Sequence, residues 1–267
     1  VSPVRRDQLV VTAAAVLWIV GTLIGTGLVG AEGGVEEQGD GLFSDAATLI
    51  APDGPAFSIW SVIYLFLAGY VVWQWLPRAR DSVWASRTRI PAAASLALNG
   101  LWLLVVFAGW LLVSVLVIAG IAVSLGVILR RTADLPDEGR VPRVLVSVTF
   151  GLYLGWICVA TCANVALWLV DRGVPAEGQL ATVVTLVVLA VVVALVAVLL
   201  HRADRVFGTA LVTAVTWGVS WVAVGRLSGE PANDVVGYAA VATAVLAVAA
   251  WGVRVRAARS PGHRLAR

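Results

Sequence analysis

The residues best able to make directed contacts sit inside an apolar run, between Tyr153 and Asn164: Tyr-Leu-Gly-Trp-Ile-Cys-Val-Ala-Thr-Cys-Ala-Asn. At ~100° per residue, Tyr153, Trp156, Ala160 and Asn164 fall within about 80° of arc on one helical face. An amide and two polar-tipped aromatics are costly in hydrocarbon unless they face protein, a cavity or a ligand. Two other segments carry similar stripes. Trp60 and Tyr64 are four residues apart and stack on one face, which Gln74 continues about three turns on. Ser95, Asn99 and Trp102 share a face of a further segment. The chemistry these residues offer is recognition: rings supply flat apolar walls with a donor at the edge, and amides offer both donors and acceptors. Each stripe alone has a structural explanation, because aromatics gather at membrane interfaces and asparagine bonds neighbouring helices. Three similar faces in one chain with 12 tryptophans point to a common site.

The elements that must position these stripes are membrane spans. Of 267 residues, 60% are hydrophobic and 13% charged, against about 25% charged in soluble domains. Several apolar runs reach the roughly 20 residues that cross about 30 Å of hydrocarbon, and none shows the two-residue alternation of a transmembrane barrel. The fold class expected is an all-α polytopic membrane protein. Eight helices are read, at about 8–30, 57–76, 91–108, 111–129, 144–170, 180–200, 207–226 and 235–253. Pro77, Pro136, Pro142, Pro175 and Pro231 mark breaks, Pro91 is read as opening the third helix, and Gly109-Trp110 separates the third from the fourth.

All 19 basic residues are arginine. With the N-terminus inside, 17 of them lie on the cytoplasmic side and only Arg172 and Arg226 lie outside, as the positive-inside rule requires. Both termini are then cytoplasmic. The formal charge of +3 therefore reports topology, and no nucleic acid is expected as a partner. Arg5, Arg6 and the following apolar run also fit a secretory signal, but the run is long for one. The arginine-rich C-terminal tail enforces orientation or touches anionic lipid. Cys158 and Cys162 lie in one span without histidine partners, so they read as packing residues, and no metal site is expected. The connection from Ala31 to Ala56 is long, glycine-rich and acidic, and reads as a lid or a solvated linker, with the lid favoured.

The three stripes resemble the tryptophan-rich sensory protein or translocator-protein (TspO/MBR) family. Phe57…Trp60-Ser-Val-Ile-Tyr64 is similar to its Trp-Thr-x-Leu-Tyr segment, Leu96-Ala-Leu-Asn99-Gly-Leu-Trp102 to its Leu-x-Leu-Asn-x-x-Trp, and Tyr153-x-x-Trp156…Ala160-Thr161-x-x-Asn164 to its fifth-helix motif. Gly109-Trp110 resembles the opening of its fourth helix. The resemblance covers roughly residues 8–171. It implies a five-helix ligand-binding bundle over 1–174, followed at 175–267 by three additional helices and a basic tail, as in a longer bacterial form. It further implies a bacterial cell membrane location, a pocket partly closed by the first loop, and dimerisation in some members. The pocket residues it implies are Trp60, Tyr64, Asn99, Trp102, Tyr153, Trp156 and Asn164. The chain departs from the family pattern at three positions: a loop tryptophan is replaced by Gly54, a fourth-helix acidic residue by Ser114, and the proline before the fifth-helix tyrosine by Leu152.

The function expected is a membrane receptor or binding protein for a small hydrophobic planar ligand, a porphyrin or other haem-like tetrapyrrole, with a sterol- or carotenoid-like molecule as a variant. No cofactor is required. A transporter of such ligands is the alternative, although no span carries a central ionisable residue suited to coupling. A tryptophan-dependent porphyrin-degrading enzyme is the third reading. Gly54 in place of the loop tryptophan argues against it, and no catalytic motif is present. Partners expected are the lipid bilayer, the ligand and, through the small-residue pairs Gly21…Gly25 and Gly151…Gly155, either a second copy or neighbouring helices of the same chain, with the latter favoured. Trp217 and Trp221 extend the aromatic wall or face lipid.

Overall fold

A computed structural model describes residues 2–25 and 46–257. Among these residues there is no strand, and eight helices are long and apolar enough to cross a membrane. We number them α1 (Pro3–Gly25), α2 (Ile59–Trp73, preceded by a 3-10 turn at Gly54–Ser58), α3 (Val83–Phe107), α4 (Leu111–Thr132), α5 (Thr149–Asp171), α6 (Gly178–Leu200), α7 (Arg205–Ser228) and α8 (Asp234–Ala257). A short helical turn at Arg140–Arg143 and a π-helical turn at Val144–Val148 lead into α5. The expected lid falls on Ala31–Ala56, of which 31–45 lie outside the described residues, as do the tail arginines Arg259, Arg264 and Arg267 and the end of the first span at 26–30.

Local chemistry sets the ends. α3 stops because Gly109 takes φ +71°, a left-handed turn that glycine adopts without strain. The Trp110 N–H then bonds the Val105 carbonyl at 2.9 Å, and the Gly109 N–H bonds that of Val106 at 2.9 Å. Gly173, φ +91°, ends α5 in the same way, with Val174 N–H on the Leu169 carbonyl at 3.0 Å. At the start of α3, Ser82 Oγ accepts from Ala85 N–H and Glu138 Oε1 accepts from Val83 N–H at 2.7 Å. Asp204 caps α7 through the N–H groups of Val206 and Phe207, and Arg254 of α8 covers the C-terminus of α6 by donating to the carbonyls of Leu200 and His201, both at 2.8 Å.

Pro91 does not open α3. The helix begins two turns earlier and the proline lies inside it. A proline there leaves the carbonyl four residues back without its helical donor, and Arg131 Nη1 of α4 donates to that carbonyl, Arg87 O, at 3.3 Å. Two arginines counted as flanking charges, Arg89 before the third span and Arg226 at the outer end of the seventh, are buried. Arg89 is 1% exposed within α3 and donates to the Ala79 carbonyl at 2.7 Å; Arg226 is fully buried in the last turn of α7.

Backbones approach closely where glycine permits. A Cβ on Gly21 of α1 would meet the Gly100 carbonyl of α3 at 2.4 Å, and one on Gly155 of α5 would meet the Leu211 carbonyl of α7 at 2.3 Å. The small-residue pairs are thus taken up inside the chain, in α1–α3 and α5–α7 contacts. α4 packs between α3 and α5, and α8 lies against α6 and α7. One hydrophobic core runs through all eight helices, from Val11 of α1 to Ala247 of α8.

Candidate functional site

The site lies where α2, α3, α4 and α5 meet. Asn99 of α3, 1% exposed, ties three helices together. Its Oδ1 accepts from the Tyr64 hydroxyl of α2 at 3.1 Å, and its Nδ2 donates to the Tyr153 hydroxyl of α5 at 2.8 Å. Tyr153 passes its own proton on to the Ser95 carbonyl at 3.5 Å. The amide spends both its faces on phenols, so its orientation is fixed and the three stripes are held in register.

Rings assemble around this chain of bonds. Trp60 lies 5.1 Å from Tyr64, 5.8 Å from Tyr153 and 6.0 Å from Trp156, centroid to centroid, the latter two contacts edge-to-face. Trp18 of α1 packs edge-on against Tyr64 at 5.0 Å, and Phe57 of the 3-10 turn against Trp156 at 5.7 Å. Such geometries suit the ring quadrupoles and hold each indole at a defined angle. Beside them is a cavity of about 20 Å³ lined by Phe57, Trp60, Asn99, Trp102, Ile118, Ile121, Trp156, Ile157 and Ala160. That volume admits about one water molecule. Among the described residues its walls carry no acidic, basic or histidine side chain. The indole N–H groups of Trp102 and Trp156 are buried without an acceptor among the described residues, and Trp156 as a whole is 1% exposed.

Of the residues expected from the sequence, Trp60, Asn99, Trp102 and Trp156 line the cavity, while Tyr64 and Tyr153 stand behind it and orient Asn99. Asn164 belongs elsewhere. It sits one turn beyond Ala160, where its Nδ2 donates to Ser114 Oγ of α4 at 2.9 Å, closing the end of the site without lining it. Gln74 also leaves the stripe: it exchanges bonds with Gln8 of α1, the Gln8 amide donating to the Gln74 carbonyl at 2.6 Å and the Gln74 amide to the Gln8 carbonyl at 3.2 Å. Ile118, Ile121 and Ile157 have no polar signature and were not legible as lining residues; Phe57, three residues before Trp60, was visible only as part of a motif. Trp217 and Trp221 pack edge-to-face at 5.6 Å on α7, and Trp217 Nε1 donates to the Ala56 carbonyl at 2.8 Å.

Comparison with curated proteins finds no match, and comparison with solved structures finds none. A family model described as TSPO-like protein matches residues 9–253. The match reaches all eight spans, α1 to α8. A multi-pass helical chain whose tryptophans and asparagine converge between α2 and α5, and whose length is matched from the first span to the last, belongs to the TSPO-like protein family.

Proposed function

We propose that this protein is a membrane receptor or binding protein for a small hydrophobic planar ligand, a porphyrin or related tetrapyrrole, held among α2, α3, α4 and α5. One observation carries the reading: Trp102 and Trp156, whose indole N–H groups are buried without an acceptor among the described residues, line a cavity whose other walls are rings, isoleucines, Ala160 and the Asn99 amide. A flat apolar ligand with acceptor groups at its edge would satisfy both donors and stack on the rings. The absence of ionisable lining residues among the described residues favours binding over ion-coupled carriage. The arginine distribution favours an orientation with both termini cytoplasmic, and the family resemblance favours a bacterial cell membrane.

Pockets for ligands of this class enclose roughly 300–1,000 Å³, and the cavity here holds about 20 Å³. Binding therefore requires the walls to part, and association is expected to be slower than a diffusional encounter. The test is titration of the detergent-solubilised full chain with protoporphyrin IX, followed by the porphyrin absorption band and by tryptophan quenching. Trp156→Phe, which keeps the ring and removes the donor, is expected to weaken binding about tenfold. Equal affinity in the parent, Trp156→Phe and Trp102→Phe would remove these indoles from the site.

A further inference from the structure

Of the described residues lining the cavity, Phe57 alone lies outside an α-helix. It belongs to a segment, Thr48–Ser58, that crosses the end of the bundle before α2 begins. Leu49 and Ile50 are each 2% exposed and Ala56 is fully buried, so the segment is seated on the protein rather than looped into solvent. Its supports come from the C-terminal half of α7. Trp217 Nε1 donates to the Ala56 carbonyl at 2.8 Å, the Asp53 N–H donates to the Trp221 carbonyl at 3.2 Å, and Arg226 Nη1 donates to the Thr48 carbonyl at 3.2 Å. Between the last two, Gly225 brings its backbone under Asp53, where an added Cβ would lie 3.6 Å from Asp53 Cβ. Positions 217, 221 and 225 recur about once per turn along one side of α7, and Arg226 reaches the segment from the helix's last turn.

We infer that α7 fastens Thr48–Ser58 as a strap over the cavity, so that the C-terminal helices control access to a site built from the first five. The cavity must enlarge for any ligand, and the remaining walls are side chains on packed helices. The wall held by a few bonds to a 3-10 turn yields first. Phe57 follows Ala56 directly, and its ring rests on Trp156 at 5.7 Å. Releasing the Ala56 carbonyl from Trp217 therefore frees the ring that covers the indole. Trp217, Arg226 and the Trp221 carbonyl are positioning groups: they touch the strap, not the ligand.

The strap is read directly by maleimide labelling of Ile50→Cys in a full chain also carrying Cys158→Ala and Cys162→Ala. Adding Trp217→Phe, which keeps the ring and removes one donor, is expected to raise the labelling rate about three- to tenfold, and Arg226→Lys is expected to raise it as well. Trp251→Phe removes an equivalent indole bond between α8 and α7, that to Thr209 Oγ1 at 3.2 Å, away from the strap, and is expected to leave the rate unchanged. Unchanged labelling in both Trp217→Phe and Arg226→Lys overturns the inference, as does an equal rise in Trp251→Phe, which would report general loosening. The connection to function rests on the binding reading and is checked separately: protoporphyrin IX should dissociate faster from Trp217→Phe than from the parent, by a similar factor. Equal dissociation rates beside raised labelling would overturn the strap's control of access. If protoporphyrin IX binds neither protein, the ligand reading fails, while the labelling rates still decide whether α7 fastens the strap.

Discussion

Asn99 is the residue on which the site turns, because its two amide atoms are both committed to phenols from other helices. Asn99→Leu removes one partner of the Tyr64 hydroxyl, which keeps Thr22 and Trp18 beside it, and leaves the Tyr153 hydroxyl with only the long contact to Ser95. A loss of about 1–3 kcal/mol is expected, read as a lowered apparent melting temperature in detergent. Removing all three partners together, with Tyr64→Phe and Tyr153→Phe added, should restore much of the loss, since no polar group is then stranded. If the triple variant is as unstable as the sum of its parts, the bonds are not what holds these helices. The convergence of Asn99 with Trp60, Trp102 and Trp156 was legible in the sequence because amides and indoles in hydrocarbon need partners. Asn164 was misplaced because a helical stripe gives an angle, not a partner. Its partner is Ser114, a position that stood out only as a departure from the family pattern.

Among the elements, α5 and α7 approach closely through their glycines. A methyl on Gly155 would lie 2.3 Å from the Leu211 carbonyl, and one on Gly151 would lie 2.6 Å from that of Phe207. Neither backbone atom can rotate away, so Gly155→Ala must push the helices apart, at a cost of about 1–3 kcal/mol. Gly126 of α4 supplies the contrast, with nothing within 4 Å of an added Cβ. There, Ala is expected to be neutral or to stabilise by up to about 1 kcal/mol through helix propensity. Equal melting temperatures for Gly155→Ala and Gly126→Ala would show that the α5–α7 contact is looser than its geometry. The eight spans could be read from apolar runs alone, since each must be about 20 residues long. The start of α3 could not. Pro91 reads locally as a boundary, yet the helix runs through it, and the carbonyl it leaves without a helical donor, Arg87 O, accepts from Arg131 on another span. Arg226 is similar: a charge count gives only its side of the membrane, while its partner is a carbonyl at Thr48, far away in sequence.

For the molecule as a whole, the question is whether the five-helix unit at 1–174 and the segment at 175–267 are separate bodies. Their boundary falls in the short α5–α6 connection, yet the core runs across it and α7 supplies bonds to Ala56 and Thr48. Lipid can replace apolar contacts with α7 at modest cost, because hydrocarbon tails are as apolar as its valines and alanines. It cannot replace the Trp217 and Arg226 donors, and the Ala56 and Thr48 carbonyls would be left to find others. A chain cut between Val174 and Gly178 tests the point. Co-expressed, the two pieces are expected to purify together and to melt as one unit within a few degrees of the parent. Expressed alone, the 1–174 piece is expected to lose the strap's protection, read by labelling of Ile50→Cys with Cys158→Ala and Cys162→Ala, and to melt at lower temperature. A 1–174 piece as stable and as well protected as the full chain would make the last three helices an appendage, and the match of the family across residues 9–253 would then reflect shared ancestry without shared mechanics.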